Sequence, residues 1–355
     1  MPDRVNVTLA IPVADELQAT IRAVDERLAV IALTRAQRNV YREGRPLWAG
    51  YPEPPRAEDE SEEEARERLT PVLAASHVIL CNPVVPNDIV ARAPALEWLQ
   101  LTSAGVDRLL DAPVVRSHVT VTTASGIHAA PISEYIIGVM LAFAKRLPHA
   151  MRAQQERAWR PYWPEELEDK TVGILGVGAI GARTAQLCRA LGMRVLALRR
   201  SATQRLSGNA TGDPAIDEML PPEDLPYLLA ESDYVVIALP LTPETSGLFG
   251  ESQLAAMKPT AVIVNIGRGA IIDQDALIRA LKTRTIAGAA LDVFTPEPLP
   301  ADSEIWSLDN VIVTPHISGG TPRYMQRAVA LFCDNLRRYL DGQPLVNVVD
   351  PQRGY

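Results

Sequence analysis

The chain has 355 residues, 47% of them hydrophobic and 22% charged, with a net charge of −8 and three cysteines. That length and apolar content predict two globular domains with their own cores, and exclude a disordered, collagenous or disulfide-stapled chain. The acidic balance argues against a surface built to neutralise a phosphate backbone, so no nucleic-acid partner is expected.

Cys81, Cys188 and Cys333 lie far apart, with no CxxC pair and no His/Cys ligand cluster, which fits a reducing compartment and predicts no metal. Neither a basic leader with a long apolar core nor an apolar run of membrane-spanning length occurs, so a soluble, cytoplasmic protein without a membrane partner is expected. Eight acids and three arginines lie between Glu53 and Arg68, so most of the net charge belongs to one segment, read as solvated surface.

In chain order, VNVTLAI (5–11), a helical stretch from Asp15, LAVIAL (28–33) and HVILCN (77–82) set a βαβ rhythm. Ser61 followed by Glu62, Glu63 and Glu64 reads as a helix N-cap with acids in the first turn. LEWLQLTSAGVD (96–107) is a strand leading into a small-residue loop, and VTVTTASGI (119–127) is a strand and a turn. From Pro131 one long helix is predicted, apolar around much of its first half. A second βαβ series runs through TVGIL, RVLAL, DYVVIALPL (233–241), AVIVNIG (261–267), AGAALDVF (287–294) and NVIVTPH (310–316), apolar on both faces as in a covered parallel sheet. An amphipathic helix over about 322–340 closes the chain.

Gly176, Gly178 and Gly181 follow the strand TVGIL and open a helix, the context that makes a GxGxxG pattern specific for a dinucleotide. Gly176 permits the tight turn, Gly178 lets backbone approach a pyrophosphate, and Gly181 lets helix and strand pack. Ala179 and Ile180 then form the helix N-terminus on which phosphate rests. At the end of the next strand, where an acid would accept the ribose hydroxyls of NAD(H), stand Arg199, Arg200 and Ser201. Guanidinium groups pair with a 2′-phosphate that a carboxylate would repel, which points to NADP(H) as preferred, with NAD(H) possible if these arginines are only solvated.

Three loops follow later strands: VNIGRGAIID (264–273), LDVFTPEPLP (291–300) and TPHISGGT (314–321). All belong at the carboxyl edge of the sheet, where open α/β folds place ligands. With TSAGVD (102–107), GVGAIG and ALPLTPET (238–245), they resemble the D-isomer-specific 2-hydroxyacid dehydrogenase family, in the same motif order from about Pro94 to the C-terminus. The resemblance implies that Arg268 binds the substrate carboxylate and polarises the keto oxygen, Glu297 holds His316, and His316 exchanges the proton. The chemistry needs these types in any case: hydride addition to a carbonyl builds negative charge on oxygen, which calls for a donor titrating near neutrality and a fixed cation.

The same resemblance places Asp292 on the nicotinamide carboxamide, with capping of the strand end as the structural alternative. It makes the backbone of Ser103, Ala104 and Gly105 a carboxylate cradle. By the same resemblance Leu239, Pro240 and Thr245 would line the adenine and ribose side, and Ile266, Gly267, Ser318 and Gly319 would complete the cofactor contacts. His128 is read as structural.

The expected architecture is α/β: two doubly wound, Rossmann-like or flavodoxin-like parallel-sheet domains with a cleft between them. Residues 1–122 and 318–355 form a substrate domain and 123–317 a dinucleotide domain, with linking helices as hinges. The apolar helix at 132–147 is expected to bury its surface across a two-fold homodimer. The expected reaction is NADPH-dependent reduction of a small 2-oxo acid, of the glyoxylate or hydroxypyruvate type, to the D-2-hydroxy acid. Rivals are phosphite oxidation or another D-2-hydroxyacid oxidation on the same scaffold, and a dinucleotide-sensing corepressor. The formate enzymes carry Gln where this chain has Glu297.

Overall fold

Short runs of β-branched residues and leucine, predicted as strands between Val5 and Thr122, pair in parallel: β1 (Val5–Leu9), β2 (Leu28–Ala32), β3 (Val78–Cys81), β4 (Trp98–Leu101) and β5 (Thr120–Thr122), in the order β2-β1-β3-β4-β5. The structure is a computed structural model that describes residues 4–45, 61–106 and 109–352. The acidic stretch from Glu53 to Glu60, and Asp107 of the TSAGVD motif, lie outside the described residues. The remaining acids open the Glu62–Ala74 helix as the sequence predicts. Ser61 Oγ accepts from Glu64 N at 3.3 Å and the Glu64 carboxylate accepts from Ser61 N at 2.9 Å, a reciprocal capping box.

The chain divides into two compact units, Met1–Ile127 with Thr321–Tyr355, and His128–Gly320. In the first, the C-terminal helix Tyr324–Leu340 lays Val329, Phe332 and Leu336 against β1, β3 and Trp98, whose ring lies 5.2 Å from that of Phe332. Burying such a side chain stabilises the fold by about 1.5–3 kcal/mol. Asn335, fully buried on the same helix, donates to Gln100 Oε1 and to Val346 O, both at 3.1 Å, and accepts from Val346 N at 2.9 Å. A buried amide satisfied on three sides fixes where the C-terminal segment returns to the sheet.

The second unit contains β6 (Thr171–Leu175), β7 (Arg194–Leu198), β8 (Leu206–Ser207), β9 (Glu218–Leu220), β10 (Tyr234–Ile237), β11 (Val262–Asn265), β12 (Gly288–Leu291) and β13 (Val311–Val313). Their order among the described residues is β13-β12-β11-β10-β6-β7-β9-β8, parallel except for the short β8–β9 edge pair. The hydrophobic rhythm does not announce that edge pair, because two- and three-residue strands leave no period to read.

Register decides what the sheet can present. Val313 pairs with Leu291, Leu291 with Asn265, Asn265 with Ile237, Ile237 with Leu175, and Leu175 with Leu198, so six strands end on one transverse line. Thr314, Asp292, Ile266, Ala238, Gly176 and Arg199 therefore stand side by side one residue beyond it, a row of about 24 Å at the usual strand spacing. The order of strands reverses at β6 and β10, the place where an open α/β sheet leaves a crevice.

The segment from Pro131, expected as one helix, is two: Ala129–Ala144 and Leu147–Gln155, with Arg146 left-handed at φ +51° between them. Pro148 in a continuous helix would lose its bond to Ala144 O and strike that carbonyl, so the chain restarts. One face of the apolar helix expected at a dimer interface packs within the chain, while Ile137, Leu141 and Phe143 are only partly buried. Ile132, Ile136, Val139, Met140 and Ala144 share one buried cluster with Val172, Ile174, Val236 and Val264 of the sheet. No helix among the described residues is long and apolar enough to cross a membrane.

Candidate active site

The turn after β6 has the backbone that a dinucleotide cradle requires. Gly176 sits at φ +97°, and a Cβ there would stand 2.7 Å from Ala238 O; a Cβ on Gly181 would fall on the Gly176 carbonyl. Gly178 caps the twelve-residue helix Ala179–Ala190 and has open space where a side chain would be. The orphan N–H groups of the first turn, beginning at Ala179 and Ile180, point past that exposed glycine. These residues fit the pyrophosphate of a nicotinamide dinucleotide.

Arg199, Arg200 and Ser201 are exposed just beyond β7, where the adenosine ribose would end. Leu239 and Pro240 follow β10. Thr245 closes its own loop: its hydroxyl donates to Pro240 O at 2.7 Å and accepts from Thr242 N at 2.8 Å. Ile266 is 6% exposed and belongs to the core beneath the Ala129–Ala144 helix, so only its backbone is placed for a ligand.

Arg268, Glu297 and His316 follow three adjacent strands, β11, β12 and β13. Asn265, at the end of β11, donates from Nδ2 to Arg268 O at 3.0 Å and accepts from Gly267 N at 3.1 Å, clamping the arginine loop from both sides. The Arg268 side chain donates to Gly267 O at 2.8 Å. Gly269 lets this loop press against the next one, since a Cβ there would stand 2.6 Å from Phe294 Cα. Glu297 uses both carboxylate oxygens: one accepts from Phe294 N at 3.0 Å, bracing its own turn, and the other meets His316 Nδ1 at 2.9 Å. The Thr295-Pro296 and Glu297-Pro298 bonds of that turn are cis.

His316 is held at φ +53°, a left-handed conformation that costs a non-glycine residue about 1–2 kcal/mol. Its neighbours hold it there. Asp292, fully buried, accepts from Thr314 Oγ1 at 2.6 Å and Ile317 N at 2.8 Å on one oxygen, and from Ser318 N at 2.9 Å on the other. The Asp292 side chain thus organises the histidine loop, with Ser318 presenting its amide to it. His128 packs on Gly319, with its Cδ2 2.9 Å from where a Cβ would be.

Ser103, Ala104 and Gly105 follow β4 in the first unit, where Tyr324 Oη donates to Thr102 O at 2.6 Å and Ser103 Oγ to Gly105 O at 3.0 Å. Among the described residues no cluster of His, Cys, Asp or Glu could hold a metal ion. Sequence reasoning missed Asn265, Thr314 and Tyr135, although Asn265 and Thr314 stand within quoted motifs. The readable signal was position: Asn265 ends a buried strand and Thr314 lies two residues before a candidate acid/base histidine.

Comparison with known proteins agrees with this geometry. The family described as D-isomer specific 2-hydroxyacid dehydrogenase, NAD binding domain, matches residues 137–318. A glyoxylate/hydroxypyruvate reductase B from Pectobacterium carotovorum is 38% identical over 297 residues, covering 79% of this chain and 88% of that protein. A glyoxylate reductase from Thermofilum pendens is 33% identical, covering 79% and 83%. Among solved structures, a D-isomer specific 2-hydroxyacid dehydrogenase family protein from Aeromonas salmonicida superposes with a TM-score of 0.79 at 30% identity, covering 99% of this chain and 100% of that one. A D-isomer specific 2-hydroxyacid dehydrogenase from Xanthobacter autotrophicus, in complex with NADPH and MES, gives 0.77 at 29%, covering 100% of both. With the glycine turn, the row of strand ends and the Glu297–His316 pair, these likenesses make the chain a member of the D-isomer specific 2-hydroxyacid dehydrogenase family, an NAD(P)-dependent dehydrogenase.

Proposed function

We propose that the enzyme reduces a small 2-oxo acid of the glyoxylate or hydroxypyruvate type to the D-2-hydroxy acid, with NADP(H) preferred. The observation that carries this reading is the 2.9 Å contact between His316 Nδ1 and Glu297, on loops that register brings beside that of Arg268. The bound nicotinamide dinucleotide supplies the hydride. Arg268 pairs with the substrate carboxylate and lowers the energy of charge growing on the keto oxygen. With Nδ1 turned to Glu297, His316 presents Nε2 as the atom that gives the proton to that oxygen, or takes it from the hydroxyl in the reverse direction. Glu297 orients the ring and balances the charge it carries before transfer.

Arg199 and Arg200 support NADP(H), since no acid stands at the end of β7 and both are exposed. The Xanthobacter relative bound to NADPH is consistent with that assignment. The exposed side chains of Leu147, Met151, Trp159 and Trp163, the last two 96% and 91% exposed, support a homodimer. Three buried, unpaired cysteines fit a cytoplasmic setting.

The test is His316→Gln, which should remove most turnover, at least about 100-fold, while leaving dinucleotide affinity nearly intact. An unchanged rate would remove the acid/base assignment.

A further inference from the structure

A half-buried hydrogen-bond chain runs from the Ala129–Ala144 helix to the histidine loop. Tyr135 Oη lies 2.8 Å from Thr314 Oγ1, which lies 2.6 Å from Asp292, whose carboxylate accepts the amides of Ile317 and Ser318. Direction follows from chemistry. Thr314 Oγ1 donates its single proton to Asp292 Oδ1, so it must accept from Tyr135. Burial pushes the Tyr135 hydroxyl up to about 12, so it remains a donor across the working range. Each bond polarises the next, and the chain ends on the two amides that flank His316 on its C-terminal side.

We propose that Tyr135 is a positioning residue for the acid/base histidine: through Thr314 and Asp292 it holds the 314–318 loop, and so His316, in the left-handed turn that meets Glu297. This rests on the acid/base reading of His316. Tyr135 follows no motif and touches none of the reacting groups; its action is through the loop. The Thr314 hydroxyl is the link, because it is both the acceptor for Tyr135 and a donor to Asp292.

The test uses the whole enzyme. Tyr135→Phe keeps the ring packing and removes one hydrogen bond, so kcat should fall about 3–10-fold with cofactor affinity and KM unchanged. Thr314→Val breaks both links and should lower kcat about tenfold or more, while Thr314→Ser keeps the hydroxyl and should restore the rate. Two readouts separate positioning from a general loss of structure. The kinetic isotope effect with NADPH deuterated at C4 should rise in both damaging variants, and amide exchange over residues 314–320 of the free protein should quicken without a comparable change at the core strands.

Wild-type kcat, isotope effect and exchange in Tyr135→Phe and Thr314→Val would overturn the proposal, as would a Thr314→Ser variant no better than Thr314→Val, or uniform loss of protection across the sheet. If His316→Gln itself keeps full turnover, the acid/base reading fails first. If it loses turnover while the Tyr135 and Thr314 variants behave as wild type, only the positioning role fails.

Discussion

Gly269→Ala is the sharpest test of how the active loops are assembled. The new Cβ would stand 2.6 Å from Phe294 Cα and against the carbonyl of the same residue. Carbon atoms in ordinary contact are about 3.5–4.0 Å apart, so the Arg268 loop and the Glu297 turn must separate by about 1 Å. Neither side offers a flexible side chain to absorb the shift. Overpacking of this kind costs about 1–3 kcal/mol, and in a unit of this size lowers the melting midpoint by roughly 2–4 °C per kcal/mol. If Arg268 binds the carboxylate and His316, held by Glu297, donates the proton as proposed, a 1 Å displacement between the two loops should lower kcat/KM by about 100-fold. The glycine turn after β6 lies two strands away, so dinucleotide affinity should change by no more than about twofold. Steady-state rates, a fluorescence titration with cofactor and a thermal melt measure all three. A variant with kcat/KM and midpoint like the parent would refute the claim that the loops are pressed together by a missing side chain.

Two further outcomes follow from other parts of the chain. Replacing Arg199 and Arg200 together by Ala should weaken NADPH binding by at least about tenfold more than NADH, since on the proposed reading each removes a charge-assisted partner of the 2′-phosphate; equal losses would remove the phosphate-site assignment. Ser61→Ala should destabilise the first unit by about 0.5–2 kcal/mol through loss of the capping box, read by denaturant melting at unchanged activity.

Much of this was legible in the sequence for physical reasons. Apart from the short β8–β9 edge pair, the strands of both sheets read clearly because Val, Ile and Leu occupy both faces of parallel strands covered by helices, and the Ser61 cap read clearly because its partner lies three residues away. The placement of Gly176, Arg268, Glu297 and His316 was legible because each lies on a loop that follows a parallel strand. What escaped are features set by distant partners. The break at Arg146 depends on a proline two residues on, yet the amphipathic pattern runs through it. Asn265, Thr314 and Tyr135 act through hydrogen bonds; the Tyr135–Thr314 pair joins residues 179 positions apart, a relation no local pattern encodes. The role of Asp292 in the free protein was likewise a matter of register, since only the flush ends of β12 and β13 bring its carboxylate under the histidine loop.

The central claim is a reaction type with a cofactor preference, and initial rates on a panel of 2-oxo acids, run with NADPH and NADH in parallel, test it most directly. The account predicts turnover of glyoxylate or hydroxypyruvate with a higher kcat/KM for NADPH than for NADH. Cofactor binding without turnover of any 2-oxo acid would contradict it.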